Sequence, residues 1–269
     1  MAEPPTIAIV AAENFYADIA RQIGGREVSV TGILTNPDQD PHEFEASVST
    51  AKAFADSRLV IYNGAGYDPW AAKLAAASTA PARTIVVVAD LVHRKPGDNP
   101  HIWYDPTTML ALTHSLAAIL ARLDPAHAAE YQSRLVAFER SLASFTNDIA
   151  VMRGKYTATA VTATEPVFGY MADALGLRMR NTRFQLAVMN GTEPSPSDIA
   201  AFEQDLKSRS VKLLLYNTQT SGALTRRMRA IAEAAGVAVV GVSETEPPGK
   251  NYQEWMRSQL AVVDRALSR

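Results

Sequence analysis

Residues 124–154, DPAHAAEYQSRLVAFERSLASFTNDIAVMRG, decide the fold. Asp124-Pro125 reads as an N-cap followed by proline in the first helical position, where a missing N–H costs nothing. Apolar residues then recur three or four apart at Tyr131, Leu135, Phe138, Leu142, Phe145, Ile149 and Met152, and Gly154 closes the segment. The polar positions between them, among them Gln132, Arg134, Glu139 and Asn147, face away. This is one stripe of a helix roughly 40 Å long at ~1.5 Å per residue. The repeat lasts only about three heptads, which favours a connecting strut over a coiled coil.

On either side of the strut, short β-branched runs alternate with longer Ala-rich stretches, the pattern of an α/β protein. Strands are predicted at 7–10, 28–33, 59–62 and 84–88, and again at 159–163, 186–189, 211–216 and 237–242. Runs such as Ile85-Val86-Val87-Val88 and Leu213-Leu214-Leu215 are continuously apolar. That suits central parallel strands covered on both faces. Gly176 and Gly236 sit where helix C-termini are expected. The expected architecture is α/β, with two lobes, each a mostly parallel sheet flanked by helices, joined by one long linking helix. The N-terminal lobe takes 1–123, the helix 124–154 and the C-terminal lobe 155–269. Such a strut would limit wide hinge bending. No internal repeat is obvious in the sequence.

Composition excludes several classes. The 269 residues are 47% hydrophobic, enough for substantial cores, and Lys plus Arg (26) nearly balances Asp plus Glu (28). With a net charge of -2 and no basic run, nucleic acid or an anionic membrane is not the expected partner. The absence of cysteine removes disulfides, thiolate metal sites and thiol nucleophiles together. No apolar run approaches the ~20 residues of a membrane helix. The start Met1-Ala2-Glu3-Pro4-Pro5 looks like a mature exported chain with an added initiator Met. A periplasmic or lipid-anchored cell-surface location, after loss of an export signal, is therefore expected.

Two loops carry the chemistry. Asp40-Pro41-His42-Glu43 follows the second predicted strand, and Asn99-Pro100-His101-Ile102-Trp103 follows the fourth. Only five histidines occur, and imidazole is the commonest protein ligand for first-row metals. His93, His114 and His127 lack comparable settings and read as solvated or helix-face residues. In open parallel sheets ligands bind beyond the carboxyl ends of strands. In the second half those positions hold Glu165 (in Thr164-Glu165-Pro166) and Glu244 and Glu246 (in Ser243-Glu244-Thr245-Glu246-Pro247). Each alone has an ordinary reading: Glu165 as a helix cap, Glu244 and Glu246 as a solvated turn. Together, two imidazoles and two carboxylates suit a divalent metal held in a cleft between lobes. Tyr104 and Asp105 are the expected groups orienting His101, and Trp70 and Trp103 are expected to pack against the cleft floor.

These segments resemble the metal-binding solute receptors of ABC importers, the zinc- and manganese-capturing cluster. The resemblance spans nearly the whole chain. Asn99-Pro100-His101-Ile102-Trp103-Tyr104-Asp105-Pro106 is its most specific motif, joined by Asn63-Gly64-Ala65-Gly66-Tyr67-Asp68-Pro69-Trp70 and by Glu193-Pro194-Ser195-Pro196-Ser197-Asp198. The resemblance implies metal ligands at His42, His101 and Glu165. The family's fourth position, usually Asp, is assigned to Glu244, with Glu246 as the alternative. The His- and Asp-rich loop of typical zinc receptors is missing. It further implies a non-enzymatic, monomeric receptor that hands its ion to an ABC permease.

A second carboxylate in place of an imidazole hardens the site and favours coordination above four, so Mn(II) is expected ahead of Zn(II). Because the imidazoles must be neutral to bind, affinity should fall as pH drops through their range. The rival readings are a metal-dependent hydrolase with Glu43 or Glu246 as base, and a surface adhesion protein. No H-E-x-x-H signature supports the first, and nothing specifies a partner for the second.

Overall fold

A computed structural model describes residues 6–39, 41–77, 82–220 and 222–269. Residues 1–5, on which the export reading rests, and Asp40 of the first histidine loop lie outside the described residues.

The chain forms two compact units: Met1–Ala143 with Thr245–Gln253, and Ser144–Glu244 with Glu254–Arg269. In the first, strands β1 (Ile7–Glu13), β2 (Val28–Leu34), β3 (Leu59–Tyr62) and β4 (Thr84–Val87) make a parallel sheet in the order β2-β1-β3-β4. Helices α1 (Asn14–Gly24), α2 (Val48–Asp56), α3 (Pro69–Ala77), α4 (Val88–Leu91) and α5 (Thr108–Leu123) supply the flanking layers. Helix α6 (Ala128–Tyr156) contributes its first half to this unit and its second half to the other.

The second unit repeats the plan. Strands β5 (Ala160–Ala163), β6 (Arg178–Arg180), β7 (Leu213–Asn217) and β8 (Ala238–Val242) run parallel in the order β6-β5-β7-β8. Its helices are α7 (Gly169–Ala174), α8 (Thr182–Met189), α9 (Pro196–Lys207), α10 (Ala223–Ala235) and most of α11 (Tyr252–Leu267). Strand order reverses between β1 and β3, and again between β5 and β7. A parallel sheet opens its binding crevice at such a switch point.

The apolar stripe of residues 124–154 behaves as its period requires. Tyr131, Leu135, Phe138, Leu142, Phe145, Ile149 and Met152 are all buried. The helix is entered through a short 3-10 turn, Pro125–His127, and Asp124 accepts from His127 Nδ1 (2.6 Å) and Tyr131 Oη (2.9 Å). It also runs two residues past Gly154, to Tyr156. Ser195 caps α9 by accepting from the Asp198 amide at 3.1 Å.

One predicted strand is a helix. Residues 186–189 lie in α8, where Phe184 is fully buried, Val188 packs against the same core, and Leu186 turns outward. A four-residue apolar run has no period of its own, so its neighbours decide. The sheet is completed by β6, a three-residue edge strand whose Arg180 pairs with Asp205 at 2.7 and 2.8 Å. With arginine at both ends it offers no apolar run to recognise.

Candidate metal centre

Each unit holds half of the predicted ligand set at the carboxyl ends of its strands. In the first unit, His42 sits on the 3-10 turn Pro41–Glu43 after β2, exposed at the surface. His101 follows β4 and α4 and is fully buried. Their ring centroids are 6.3 Å apart at 79°. Tyr67 stands edge-on to both, at 5.1 Å from His42 and 6.0 Å from His101, and Trp103 packs under His101 at 5.2 Å. Trp103 is itself buried against Phe15 and Tyr67, and half-buried Trp70 packs against Phe44 and Phe54. Both tryptophans pack against aromatic side chains.

The group that orients His101 is Asn99. Its Oδ1 lies 2.7 Å from His101 Nδ1 and also accepts the His101 backbone N–H at 3.2 Å, which fixes the amide's orientation. An amide oxygen only accepts, so the neutral ring carries its hydrogen on Nδ1 and presents the Nε2 lone pair. Asp105 does not serve here: it accepts from Thr107 and faces Arg94.

In the second unit, Glu165 follows β5 and Glu244 follows β8, and both are buried. Asn217, buried at the end of β7, donates from one Nδ2 to Glu165 Oε2 at 3.0 Å and to Glu244 Oε1 at 2.5 Å. Thr220 Oγ1 donates to Glu165 Oε1. The Glu244 backbone N–H donates to Gln219 Oε1 at 2.6 Å, and the Gln219 N–H donates to Asn217 Oδ1 at 3.0 Å. Glu165 does not cap the turn that follows it. Two buried carboxyl groups converge on one amide, an arrangement whose ionised form a cation would stabilise. Glu246, assigned to the first unit, is held through its backbone by Asn14, at 3.1 Å and 2.8 Å.

Asn99, Asn217, Gln219 and Thr220 are the residues whose roles sequence reasoning missed. The signal was available: Asn217-Thr218-Gln219-Thr220 is an all-polar run closing an apolar strand. Among the remaining histidines, His114 pairs with Glu139 and His127 with Asp124.

Two parallel α/β units of this kind, one with paired imidazoles and one with paired carboxylates, define a metal-binding solute-binding protein. The chain belongs to the family described as zinc-uptake complex component A, periplasmic, whose profile matches residues 9–266. Curated relatives include the manganese ABC transporter substrate-binding lipoprotein PsaA of Streptococcus pneumoniae serotype 4. It is 21% identical over 98% of this chain and 90% of its own length. The iron ABC transporter substrate-binding lipoprotein MtsA of Streptococcus pyogenes serotype M1 is 20% identical over 100% of this chain and 91% of its own. Among solved structures, the periplasmic zinc-binding protein TroA of Treponema pallidum superposes with a TM-score of 0.82. It is 18% identical over 98% of this chain and 100% of that one, and shares the two-unit α/β fold. No helix among the described residues is long and apolar enough to cross a membrane.

Proposed function

We propose that His42, His101, Glu165 and Glu244 together hold one divalent transition ion, and that the protein carries this ion outside the cytoplasm to an ABC permease as a monomeric, non-catalytic receptor. The observation that carries this reading is the Asn217 amide joining Glu165 and Glu244. It holds two carboxylates together where a protein without a cation would separate them. His101, with its tautomer set by Asn99, supplies a prepared nitrogen donor. His42, exposed on its turn, supplies a second.

The donor set is two imidazoles and two carboxylates. It is harder than a three-imidazole site, and a bidentate carboxylate raises the coordination number, so Mn(II) or Fe(II) fits better than tetrahedral Zn(II). We infer Mn(II) as the cargo, with Zn(II) as the competitor that intrinsic affinity favours. The relatives named for manganese and iron, and the lipoprotein descriptions they carry, support the same class of ion and an extracytoplasmic site of action.

Calorimetric titration of chelator-stripped protein with Mn(II) and Zn(II), beside His101→Ala, tests the reading. One equivalent bound by the wild type and none by the variant is expected. A wild type that binds neither ion overturns it.

A further inference from the structure

The first unit carries a buried acidic pair that ion capture does not use. Glu13, at the end of β1, and Asp68, at the start of α3, are 1% and 2% exposed. We propose that Glu13 and Asp68 are positioning residues for His101, acting through the turn 63–68 that connects β3 to α3. This rests on the reading of His101 as a metal ligand.

The turn is an unusual one. Gly64, Ala65 and Gly66 take φ values of 77°, 52° and 87° in succession, a left-handed run that alanine rarely joins. A Cβ on Gly64 would stand 2.5 Å from Val87 Cγ1, so the turn also needs that glycine for space. What holds the run is Asp68. Its carboxylate accepts the Asn63 N–H at 2.6 Å and the Gly64 N–H at 2.8 Å.

Asn63 then passes the constraint on. Its Nδ2 donates to the carbonyl of Pro100 at 2.9 Å, one residue before His101, and to that of Gly64 at 3.1 Å. Its Oδ1 accepts from Tyr16 Oη at 2.6 Å. Tyr67, inside the same turn, supplies the edge against both histidine rings. One buried carboxylate thus anchors both the loop and the ring that frame His101.

Glu13 completes the anchor. Among the described residues, neither of its oxygens meets a hydrogen-bond donor at ordinary distance, and the charged group it faces is Asp68. The other titratable groups whose charge couples to the pair are Tyr16 from α1, Tyr62 from β3 and, beyond Tyr16, Tyr252 at the start of α11; among the described residues no cation is one of them. Burial, and then the Asp68 charge, push Glu13 well above the usual carboxylate range. The upward shift favours the neutral form of Glu13, leaving Asp68 as the anion that the turn's N–H groups require. Ionising Glu13 as well would set two carboxylates against each other beneath the loop.

The position also has a counterpart. Four residues beyond the paired Ile9 and Leu59 come Glu13 and Asn63; four beyond Val161 and Leu213 come Glu165 and Asn217. Both units place a glutamate and an asparagine at the switch point. In the second unit the asparagine braces a glutamate proposed to bind metal, and in the first it braces the loop of a histidine proposed to do so.

The experiment compares Glu13→Gln, Glu13→Ala and Asp68→Asn by two readouts. The first needs no metal: ring nitrogen shifts of His101 report its tautomer, and the side-chain carboxyl shift of Glu13 reports its charge. Wild type and Glu13→Gln should show a single Nδ1–H tautomer, while Glu13→Ala and Asp68→Asn should show a mixture. The Glu13 carboxyl should remain protonated at pH 7. The second readout is Mn(II) affinity, expected within about 3-fold of wild type for Glu13→Gln and roughly 10–100-fold weaker for the other two. A Glu13 carboxyl titrating near 4.5, or a Glu13→Gln protein as impaired as Glu13→Ala, overturns the proposal. If the wild type binds no metal, the receptor reading fails, while the tautomer and carboxyl shifts still decide whether the pair positions His101. Should Asp68→Asn not fold, the two Glu13 variants carry the comparison.

Discussion

Glu13 and Glu165 each lie four residues past a pair that joins the strands at the switch point, Ile9–Leu59 and Val161–Leu213, and Asn63 and Asn217 lie four residues past the other member of each pair. The repeat shows in the sequence once the register is known: Leu59-Val60-Ile61-Tyr62-Asn63 aligns with Leu213-Leu214-Leu215-Tyr216-Asn217. The two glutamates differ in what surrounds them. Glu165 receives Asn217 and Thr220 as donors, and Glu13 faces a second carboxyl. Donors favour the ionised form and buried like charge disfavours it, and at Glu13 burial and Asp68 push the carboxyl well above the usual range.

The first prediction concerns Asn217. Replacing it with alanine removes both amide donations and leaves Glu165 and Glu244 to repel each other. Mn(II) affinity should fall roughly 10–100-fold, the usual effect of losing a group that orients metal ligands. Titration calorimetry on Asn217→Ala checks this, and an affinity equal to wild type would show that the carboxylates orient themselves without the bridge.

The two histidines should separate stability from binding. His42 is exposed, so His42→Ala should leave the metal-free melting midpoint close to wild type, within about 0.5 kcal/mol. His101 is fully buried among Trp103, Tyr67 and Asn99, so His101→Ala should cost about 1–3 kcal/mol without any metal. Both variants should lose the metal-induced gain, which for an intact site at 100-fold excess over Kd is about 2.7 kcal/mol. Thermal melts with and without Mn(II) measure all four quantities. A His42→Ala protein with the full metal-induced shift would remove His42 from the ligand set.

Most of the architecture was legible because burial leaves a period in the sequence. The stripe from Tyr131 to Met152 and the runs at β3 and β7 are apolar for one reason each, and each was read correctly. The run at 186–189 failed because four apolar residues fit a helix or a strand, and β6 was invisible because its burial is partial and its ends are arginine. At the proposed site, His42, His101, Glu165 and Glu244 were named from residue type and from their joint placement after predicted strands. Asn99 and Asn217 were not, since an amide acquires its role only from what the fold sets beside it. The pairing of Glu13 with Asp68 joins residues far apart in the chain and leaves no local pattern at all.

Glu13 also makes a signed prediction for stability against pH. Its folded-state pKa lies well above the ordinary 4.5, raised by burial first and by Asp68 second. A raised acid contributes stability that is fully present below its unfolded value and is lost as pH climbs toward the folded one. Asp68, pushed up to about 6 from an ordinary 3.8 mainly by burial, adds a loss of the same sign between those values. Glu13→Gln keeps the neutral group and removes its titration. The variant should match wild type near pH 4 and become progressively more stable than wild type above it, at no more than about 1.4 kcal/mol per pH unit. Urea unfolding of both proteins from pH 4 to 8 measures the gap. A gap that stays flat would mean Glu13 ionises normally in the folded chain.

The last prediction tests which donor sets the metal preference. Glu165 brings hard carboxylate oxygens and a negative charge to the proposed site, held by Asn217 and Thr220. Glu165→His would exchange them for a third imidazole nitrogen, a softer neutral ligand suited to four-coordinate zinc. The site would lose one charge toward either ion, so Mn(II), which depends on hard anionic oxygen and higher coordination, should suffer more. The ratio of Zn(II) to Mn(II) affinity should rise at least about tenfold, a difference of ~1.4 kcal/mol between the two ions. Asn217 can still donate to Glu244 in this variant, so the remaining carboxylate keeps its brace. Competition titrations with both ions, on wild type and variant in the same buffer, give the ratio directly. An unchanged ratio, with both affinities lowered together, would mean that Glu165 contributes charge alone and that preference is set elsewhere in the ligand set.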